Sequence, residues 1–512
     1  MNNIDLEYRI AKAIELDNSE LFDVHTWSEY PEVNQCLNFI YHEFINNSFK
    51  GNEKIRKKHI KVIILDLYVK WLKDPTMYSS FYRAHWYYDD LESRYNKLHI
   101  SKLTCKIVDA LEKLEYIHPI AKGHNGRRSG KKSHMSRMRT TDKLIDLIVN
   151  KHRIKPEMIE RFPTTECIIL RDYNESKKRQ INIPYNDTDN PQIEQWRIDL
   201  CAHNNLLRKT FIDIPMCPPD GIPTKSQDGK TIKISRHEKF VSRIFNNGNW
   251  ENGGRFYGGW WQRIPSEWRT RIRIFNTPVT EIDYSGLHIV LLYAMVGITY
   301  TDDPYRIEEL EHSERMRELL KPILLASINA EDKDSARKAI QREINFNPDE
   351  FGWVKNEGLN ISDIIDTFTN QHSPIKDYFF SGSGIRLQNI DSIIAEKVIN
   401  YFTQKSVVVL CIHDSFVIGA DKADELKLVM ENAFNEALGE LDLNLNQPPK
   451  ISLEGLGIDQ WHTILSHPEW VELRDLYLFK DKHNYPEWNE RMESFKQRKF
   501  EDYYVPEADL KN

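Results

Sequence analysis

The sequence lacks a long hydrophobic run: no window approaches the ~18 apolar residues that a membrane helix needs. The opening residues MNNIDLEYRI include an acidic residue where a signal peptide would be apolar. Cysteine is also sparse, because its 6 occurrences are scattered singly without the paired spacing of a zinc site or a disulfide framework. These absences predict a cytoplasmic protein with reduced thiols and no membrane partner.

An excess of positive charge is missing as well. The net charge of −7 over 512 residues excludes a uniformly basic nucleic-acid binder, so any such binding must come from local patches. The clearest patch is HNGRRSGKKSHMSRMR at 124–139, whose cations include Arg127, Arg128, Lys131 and Lys132. The pattern fits a loop that contacts phosphates, and it fits a solvated loop equally well.

The first 150 residues read as mostly helical. Apolar residues recur at helical spacing in CLNFIYHEFI, KVIILDLYVKWL and KLTCKIVDALEKLEYI. A short strand over 116–120, the basic loop, a return near 138–141 and a further helix, TDKLIDLIV, follow. Helices followed by a two-stranded flap with a basic tip are typical of a winged helix, although a helical adaptor without a ligand has the same pattern.

Two acidic residues mark the chemistry. In TEIDYSGLHIVLLYAM, Asp283 ends an apolar run, and about 130 residues later VVVLCIHDSFVIGAD places Asp414 at a turn between two β-rich runs. Aspartates at strand ends in one sheet can share two magnesium ions ~3.5–4 Å apart, as phosphoryl transfer requires. The sequence thus predicts a two-metal site.

These windows resemble motifs of A-family DNA polymerases and of their single-subunit phage RNA polymerase relatives. EIDYSGLH is similar to the first catalytic motif and CIHDSFV to the third. The resemblance implies that Asp283 and Asp414 hold the metals, with Tyr284 as a further metal-site residue. The cofactor would be Mg²⁺, with Mn²⁺ as a substitute.

The region between the motifs resembles the family's fingers helix. Arg317 and Lys321 lie four apart in RMRELLKPILLASINA, so they would share a helix face and grip a triphosphate. The family's aromatic residue is replaced by Asn329, and Pro322 either kinks the helix or begins a second segment. Upstream, DDPYRIEEL implies that Tyr305 reaches the phosphates.

Two further windows resemble elements that contact primer and template. GGRFYGGWWQRIP points to Arg255 and Gln262, while SGIRLQNIDSII points to Gln388 as a minor-groove reader, with Arg386 and Asp391 as its neighbours. His413 is expected at the primer or template. His288, five residues after Asp283, would face the sugar of the nucleotide.

The resemblance implies an α+β right-hand polymerase with an antiparallel palm sheet, helical fingers and a reduced or absent thumb. The expected segments are a winged-helix-like module at 1–150, a connecting region at 151–250, palm and fingers at 251–460 and an extension at 461–512. Without a proofreading motif before residue 250, the chain resembles the compact polymerase-primase type of bacterial mobile cassettes.

The implied partners are a DNA template, dNTPs with rNTPs as alternatives, and a small accessory protein or helicase. Three functions remain open: a DNA polymerase with primase activity, a single-subunit RNA polymerase, and a catalytically inactive DNA-binding regulator. The first two differ in sugar choice, which the sequence motifs leave undecided.

Overall fold

The computed structural model describes residues 16–46, 52–88, 93–123, 134–176, 178–218, 220–224, 231–443, 451–454 and 486–498. Their contacts define two units. Unit 1 comprises Met1–Glu166, Lys233–Glu238 and Glu490–Asn512; unit 2 comprises Cys167–Ile232 and Lys239–Asn489. This grouping differs from the four segments expected from the sequence, because the first change comes after residue 166 and most of 151–250 joins the residues around Asp283.

Unit 1 is built on helices, as its apolar spacing predicts. Its helices are α1 (Pro31–Asn46), α2 (Glu53–Lys73), α3 (Leu103–Lys113) and α4 (Asp142–Ile145), the last continuing as a π-helix over Asp146–Lys151. Its strands are β1 (Ser19–Leu21), β2 (Thr26–Trp27), β3 (Tyr78–Phe81), β4 (Ser136–Met138) and β5 (Glu160–Arg161). Ile107 and Leu111 of α3 are fully buried, as its amphipathic pattern requires.

The expected two-stranded flap of unit 1 is only partly present. Its first arm makes two isolated antiparallel bridges, Ile117 to Thr140 and Ala121 to Arg137, instead of a regular strand. The returning arm, β4, pairs with β3 in a three-stranded sheet of order β1-β3-β4. The basic tip with Arg127, Arg128, Lys131 and Lys132 lies outside the described residues, so its phosphate-binding role stays a prediction.

Unit 2 contains two larger sheets. The first has the order β12-β11-β6-β7, in which β11 and β6 run parallel and the other pairs antiparallel. Its strands are β6 (Ile168–Asn174), β7 (Arg179–Asn182), β11 (Ser242–Asn246) and β12 (Asn249–Tyr257). Between them along the chain lie α5 (Ile193–Arg208), β8 (Ile212–Asp213) and a small antiparallel pair, β9 (Ile222–Pro223) with β10 (Thr231–Ile232).

The second sheet of unit 2 has six antiparallel strands. The path is β15-β16-β14-β13-β8, and β17 also pairs with β14. The remaining strands are β13 (Arg273–Ile274), β14 (Thr277–Tyr284), β15 (Val409–Ile412), β16 (Ser415–Gly419) and β17 (Ile451–Glu454). The central strands β14, β15 and β16 are buried along most of their length, including Thr280 and Glu281 of β14.

Helices complete unit 2. They are α6 (Ser266–Arg269), α7 (Leu287–Met295), α8 (Glu314–Asn329), α9 (Lys333–Phe346), α10 (Pro348–Asn356), α11 (Ile361–Gln371), α12 (Gly384–Gln404) and α13 (Ala423–Glu440). A last described helix, α14 (Pro486–Lys496), passes from unit 2 into unit 1 after residue 489. The α+β class is therefore as expected, and the described part of the chain has no helix suited to crossing a membrane.

Candidate active site

The two predicted metal-binding aspartates meet through strand register. Asp283 on β14 is the cross-strand partner of Ser415 on β16, and Asp414 precedes Ser415 in the two-residue turn that joins β15 to β16. The Cα atoms of directly opposed residues in antiparallel strands, such as Asp283 and Ser415, lie ~4.5–5.5 Å apart. Asp414 is the residue next to Ser415, so it is close to Asp283 as well. Both aspartates are partly exposed. The sheet therefore brings together two carboxylates separated by about 130 residues of chain.

A buried ion pair fixes the strand ends that carry these aspartates. Glu281, two residues before Asp283 and thus on the same sheet face, is 3% exposed. It accepts two hydrogen bonds of 2.8 Å from the Arg269 guanidinium and one of 2.8 Å from Ser415 Oγ. Because both strand ends share this carboxylate, their relative positions are held by a group that we did not predict from the sequence.

The turn beside Asp414 is supported from the Trp-rich segment. Trp261 Nε1 and Gln262 Nε2 both donate to the carbonyl of Cys411, at 3.2 and 2.9 Å. Gln262 Nε2 also donates to Phe256 O, and its Oε1 accepts from Gly258 N. Both amide hydrogens of Gln262 are thus used by main-chain acceptors, so the side chain supports this turn, and its expected primer or template contact stays a prediction.

His413 occupies the other position of the turn. Its φ of 59° is left-handed, which is uncommon for a residue with a side chain. The imidazole packs edge to face on Tyr257, with ring centroids 5.3 Å apart, and its buried Nδ1 has no hydrogen-bond partner among the described residues. Burial, reinforced by the nearby charge of Arg255, lowers the pKa of His413, so the ring is neutral at pH 7.

Arg255, Asp391 and His288 form one buried cluster. Arg255 Nε donates to both Asp391 oxygens at 3.0 and 2.9 Å, and its Nη2 also contacts Asp391. His288 Nε2 lies 2.9 Å from Asp391 Oδ2 and 3.1 Å from Arg255 Nη2. Asp391 is 1% and His288 9% exposed. The sequence predicts that Arg255 contacts the primer or template and that His288 faces the sugar of the nucleotide. In the structure both side chains bond to Asp391.

Gln388 and Arg386, on the same helix as Asp391, are more accessible. Gln388 is half-buried, and its amide makes no hydrogen bond to any described residue. Arg386 pairs with Glu251 at 3.1 Å. Since Gln388 and Asp391 are three residues apart on α12, they lie on neighbouring parts of one helix face. Gln388 thus keeps the free amide that its predicted role needs.

The predicted triphosphate-binding residues share one face of α8. This helix runs without a break from Glu314 to Asn329, so Pro322 does not divide it into two segments. Arg317 lies over the Tyr305 ring at 4.9 Å and pairs with Asp303 at 3.3 Å, while Lys321 pairs with Glu318. Each partner is about a third exposed, and such pairs contribute ~0–1 kcal/mol.

Tyr305 connects this helix electrostatically to the aspartates. Burial raises the pKa of its hydroxyl to about 12, the charge of Arg317 opposes the shift, and the carboxylates of Asp414 and Asp283 add to it. The hydroxyl therefore stays protonated at neutral pH. Tyr305 is therefore close enough to both aspartates for their charges to affect its hydroxyl.

Asn329 and Tyr284 are held by the fold. Asn329 Nδ2 donates to Leu325 O at 2.7 Å, and its Oδ1 would lie 2.1 Å from a Cβ added at Gly384. The hydroxyl of Tyr284, 2% exposed, donates to Met430 O at 2.6 Å. The hydroxyl of Tyr284 is therefore not available to a metal ion, and the metal contact predicted from the sequence would have to come from its main chain.

The donor set suits hard cations that arrive with a phosphate ligand. Within the described ranges no group of three or more His, Cys, Asp or Glu side chains could hold a metal ion. Mg²⁺ is commonly bound through one or two carboxylates plus substrate phosphates and waters, and two adjacent, partly exposed aspartates match that requirement. Asp283 and Asp414 fit this mode.

No family model and no curated protein sequence matches the chain. Among solved structures, it is similar to the POL domain of Pol1 from M. smegmatis in complex with DNA primer-template and dNTP. The two are 11% identical, the match covers 78% of this chain and 70% of that chain, and the TM-score is 0.23. At these values the likeness carries no conclusion, and the residues around Asp283 and Asp414 are the basis for assigning a function.

Proposed function

We propose that this chain is a template-directed DNA polymerase of A-family type with primase activity. The observation that carries the proposal is the pairing of β14 with β16, which sets Asp283 beside Asp414 at the end of an antiparallel sheet. Unlike two aspartates that merely occur in a sequence, these belong to adjacent strand ends and are braced by Glu281. Close carboxylates repel one another, so such a pair suits cation binding better than stability.

Asp283 and Asp414 would hold two Mg²⁺ ions, which supply charge stabilisation for the triphosphate and a lowered pKa for the attacking hydroxyl. The fingers residues would bind the nucleotide. Because the surface pairs of Arg317 and Lys321 are weak, a triphosphate can replace Asp303 and Glu318 as their partners at small cost. Tyr305, protonated and below Arg317, can donate to a phosphate oxygen.

Sugar choice would involve His288, whose imidazole is fixed by Asp391. A fixed ring at this position, five residues after Asp283, would limit the space for a 2′-hydroxyl. Gln388, with its free amide, and His413, with its unpaired Nδ1, suit contacts with the primer or template. A single-subunit RNA polymerase remains the second candidate, because the His413-Asp414-Ser415 triplet is nearer to that version of the motif.

The primase activity, the role in replicating a mobile element, and the accessory protein or helicase partner are further parts of the proposal. The compact polymerase-primase type, on which these parts depend, is supported by the lack of a proofreading motif before residue 250. It is also supported by the described residues of 151–250, in which the one long helix, α5, has 16 residues. α5 packs on α12, where Asn400 donates to Asp199 and His203 bonds Thr403. It therefore belongs to the body of unit 2, and the described residues of this region offer no long projecting thumb.

The test is nucleotide incorporation on single-stranded and primed DNA with dNTPs, rNTPs or both, in Mg²⁺ and in Mn²⁺. We expect incorporation with dNTPs, and Asp283→Asn or Asp414→Asn should reduce it at least ~1000-fold while DNA binding survives. Asp334→Asn, an exposed aspartate of α9, is the matched control. Full activity in either site variant would refute the assignment, and incorporation of rNTPs alone would favour the RNA polymerase.

A further inference from the structure

In the four-stranded sheet of unit 2, helices cover one face, and the other face is exposed where β6 pairs with β7. Side chains alternate along each strand, so the inward set includes Leu170 of β6 and Phe245 of β11, both under 5% exposed. Phe245 stacks on Trp196 of α5, with ring centroids 5.0 Å apart. Buried Arg243 points the same way and bonds Glu396 of α12. Helices α5 and α12 therefore cover the inward face.

The opposite side chains form what we term the outer face, and cross-strand register identifies them. Ile244 is opposite Arg255 on β12 and Ile169 on β6, while Arg171 and Tyr173 are opposite Asn182 and Gln180 on β7. The outer face consists of Ile169, Arg171, Tyr173, Gln180, Asn182, Ser242, Ile244, Arg255 and Tyr257. None of these positions carries a carboxylate. Ile244 is buried and Arg255 pairs with Asp391, so the accessible part of the outer face is formed by Arg171, Tyr173, Gln180 and Asn182.

The outer face combines a cation, aromatic rings and amides. Tyr173 is 48% exposed and lies near the end of β6, where only β7 pairs with this strand. Arg171 Nε donates to Asn182 Oδ1 at 3.2 Å, so its guanidinium is held along the sheet surface. Asn182 and Gln180 are exposed. An arginine beside an accessible aromatic ring is typical of surfaces that bind unpaired nucleic-acid strands, because phosphates pair with the cation and bases stack on the ring.

The outer face is continuous with the candidate active site. Tyr257, at the end of β12, contacts the His413 ring next to Asp414. Burial raises the pKa of Tyr257, and the charges of Arg255 and Arg171 act against that rise, so Arg171 is close enough to affect it. Three strand spacings of ~4.8 Å separate β12 from β7, which makes the outer face ~14 Å wide. It leads from the turn at Asp414 to the open edge at β7.

We propose that the outer face binds single-stranded DNA and guides the template strand to Asp283 and Asp414. The choice of this strand as partner rests on the proposed polymerase function, while the binding itself depends only on Arg171, Tyr173 and their neighbours. Unpaired DNA is the partner because a duplex keeps its bases stacked on each other and leaves Tyr173 nothing to stack on. An acidic protein surface is a less suitable partner, because its carboxylates would pair with Arg171 but would not stack on Tyr173.

The experiment uses the full chain and measures fluorescence anisotropy of a mixed-sequence single strand and of a blunt duplex over a range of salt concentrations. Metal and nucleotide are absent, so the result is independent of catalysis. Arg171→Gln with Tyr173→Ala should weaken single-strand binding ~10-fold. The slope of the logarithm of the single-strand binding constant against the logarithm of salt concentration should become less steep by ~0.7, because the double variant contacts one phosphate fewer. The affinity for the duplex should change little.

Two comparison variants make the outcome decisive. Arg171→Lys keeps the charge and should keep the salt slope. Lys397→Gln removes one positive charge from α12, where Lys397 pairs with Glu440, and should leave both affinities unchanged. Unchanged single-strand affinity in the Arg171 and Tyr173 double variant, or an equal loss of affinity for the duplex or in Lys397→Gln, would overturn the proposal. A wild type that binds through the outer face but does not incorporate nucleotides would refute only the polymerase function.

Discussion

Replacing Asp391 should strongly destabilise unit 2. The Asp391 side chain is fully buried, and those of Arg255 and His288 are 13% and 10% exposed. Asp391→Asn removes the negative charge and leaves the Arg255 guanidinium with only neutral acceptors. Breaking one side of a buried ion pair costs ~3–5 kcal/mol, because the remaining charge then has neither water nor its partner. The exposed pair of Arg386 with Glu251 should cost ~0–1 kcal/mol when broken, and it serves as the control.

The assay is urea unfolding of the full chain, with hydrogen exchange of α12 amides identifying the transition that belongs to unit 2. Asp391→Asn should lower the free energy of unfolding of that transition by ~3–5 kcal/mol. Combining Asp391→Leu with Arg255→Met, which removes both charges, should recover most of the loss. A cost below ~1 kcal/mol for Asp391→Asn would show that Arg255 finds water or another acceptor, and the cluster would then not be a buried charge pair.

Three more predictions concern nucleotide binding, sugar choice and the anchoring of α8. Arg317→Ala and Lys321→Ala should raise the KM for nucleotides ~10-fold or more with little effect on DNA affinity; a change in DNA affinity alone would contradict their placement. The wild type should favour dNTPs over rNTPs by ~10- to 100-fold, about 1.4–2.7 kcal/mol, and His288→Ala should reduce that ratio of incorporation efficiencies; an identical ratio would remove His288 from sugar choice. In the wild type, Gly384→Ala should not stabilise the protein, because the added methyl group must displace the Asn329 amide. In an Asn329→Ala background this clash is removed, and Gly384→Ala should raise the free energy of unfolding in urea by ~0.5–1 kcal/mol.

The elements with strong periodicity were predictable. The apolar spacing of α2 and α3 and the β-rich runs on either side of Asp414 appear in the structure much as the sequence indicates. Asp283 and Asp414 could be proposed as site residues because the two short windows around them resemble polymerase motifs, and each motif is local in the sequence. A strand, a two-residue turn and a second strand occupy only Val409–Gly419.

The partners of buried charges were not predictable. Glu281 and Arg269 are twelve residues apart, but Asp391 and Arg255 are separated by more than a hundred, and no local pattern says which distant cation satisfies a given carboxylate. A charged residue inside an apolar run is the available signal: Glu281 interrupts a strand, and Asp391 interrupts the apolar face of α12. Gln262 is a further example, since no sequence pattern indicates that its amide donates to the main-chain carbonyls of Phe256 and Cys411.

The repeated passage of the chain between the two units has a consequence for biosynthesis. Unit 1 is complete only when Lys233–Glu238 and the segment from Glu490 have joined its first 166 residues. Lys73 pairs with Glu238, and Arg498 pairs with Glu160, so both late segments bring charged partners for residues made much earlier. Domains generally fold in order as they leave the ribosome, and the hydrophobic core of unit 1 lies within its first segment, so these ion pairs form only after that core can pack. During synthesis, Lys73 therefore lacks Glu238, and Glu160 lacks Arg498, until these late segments are made.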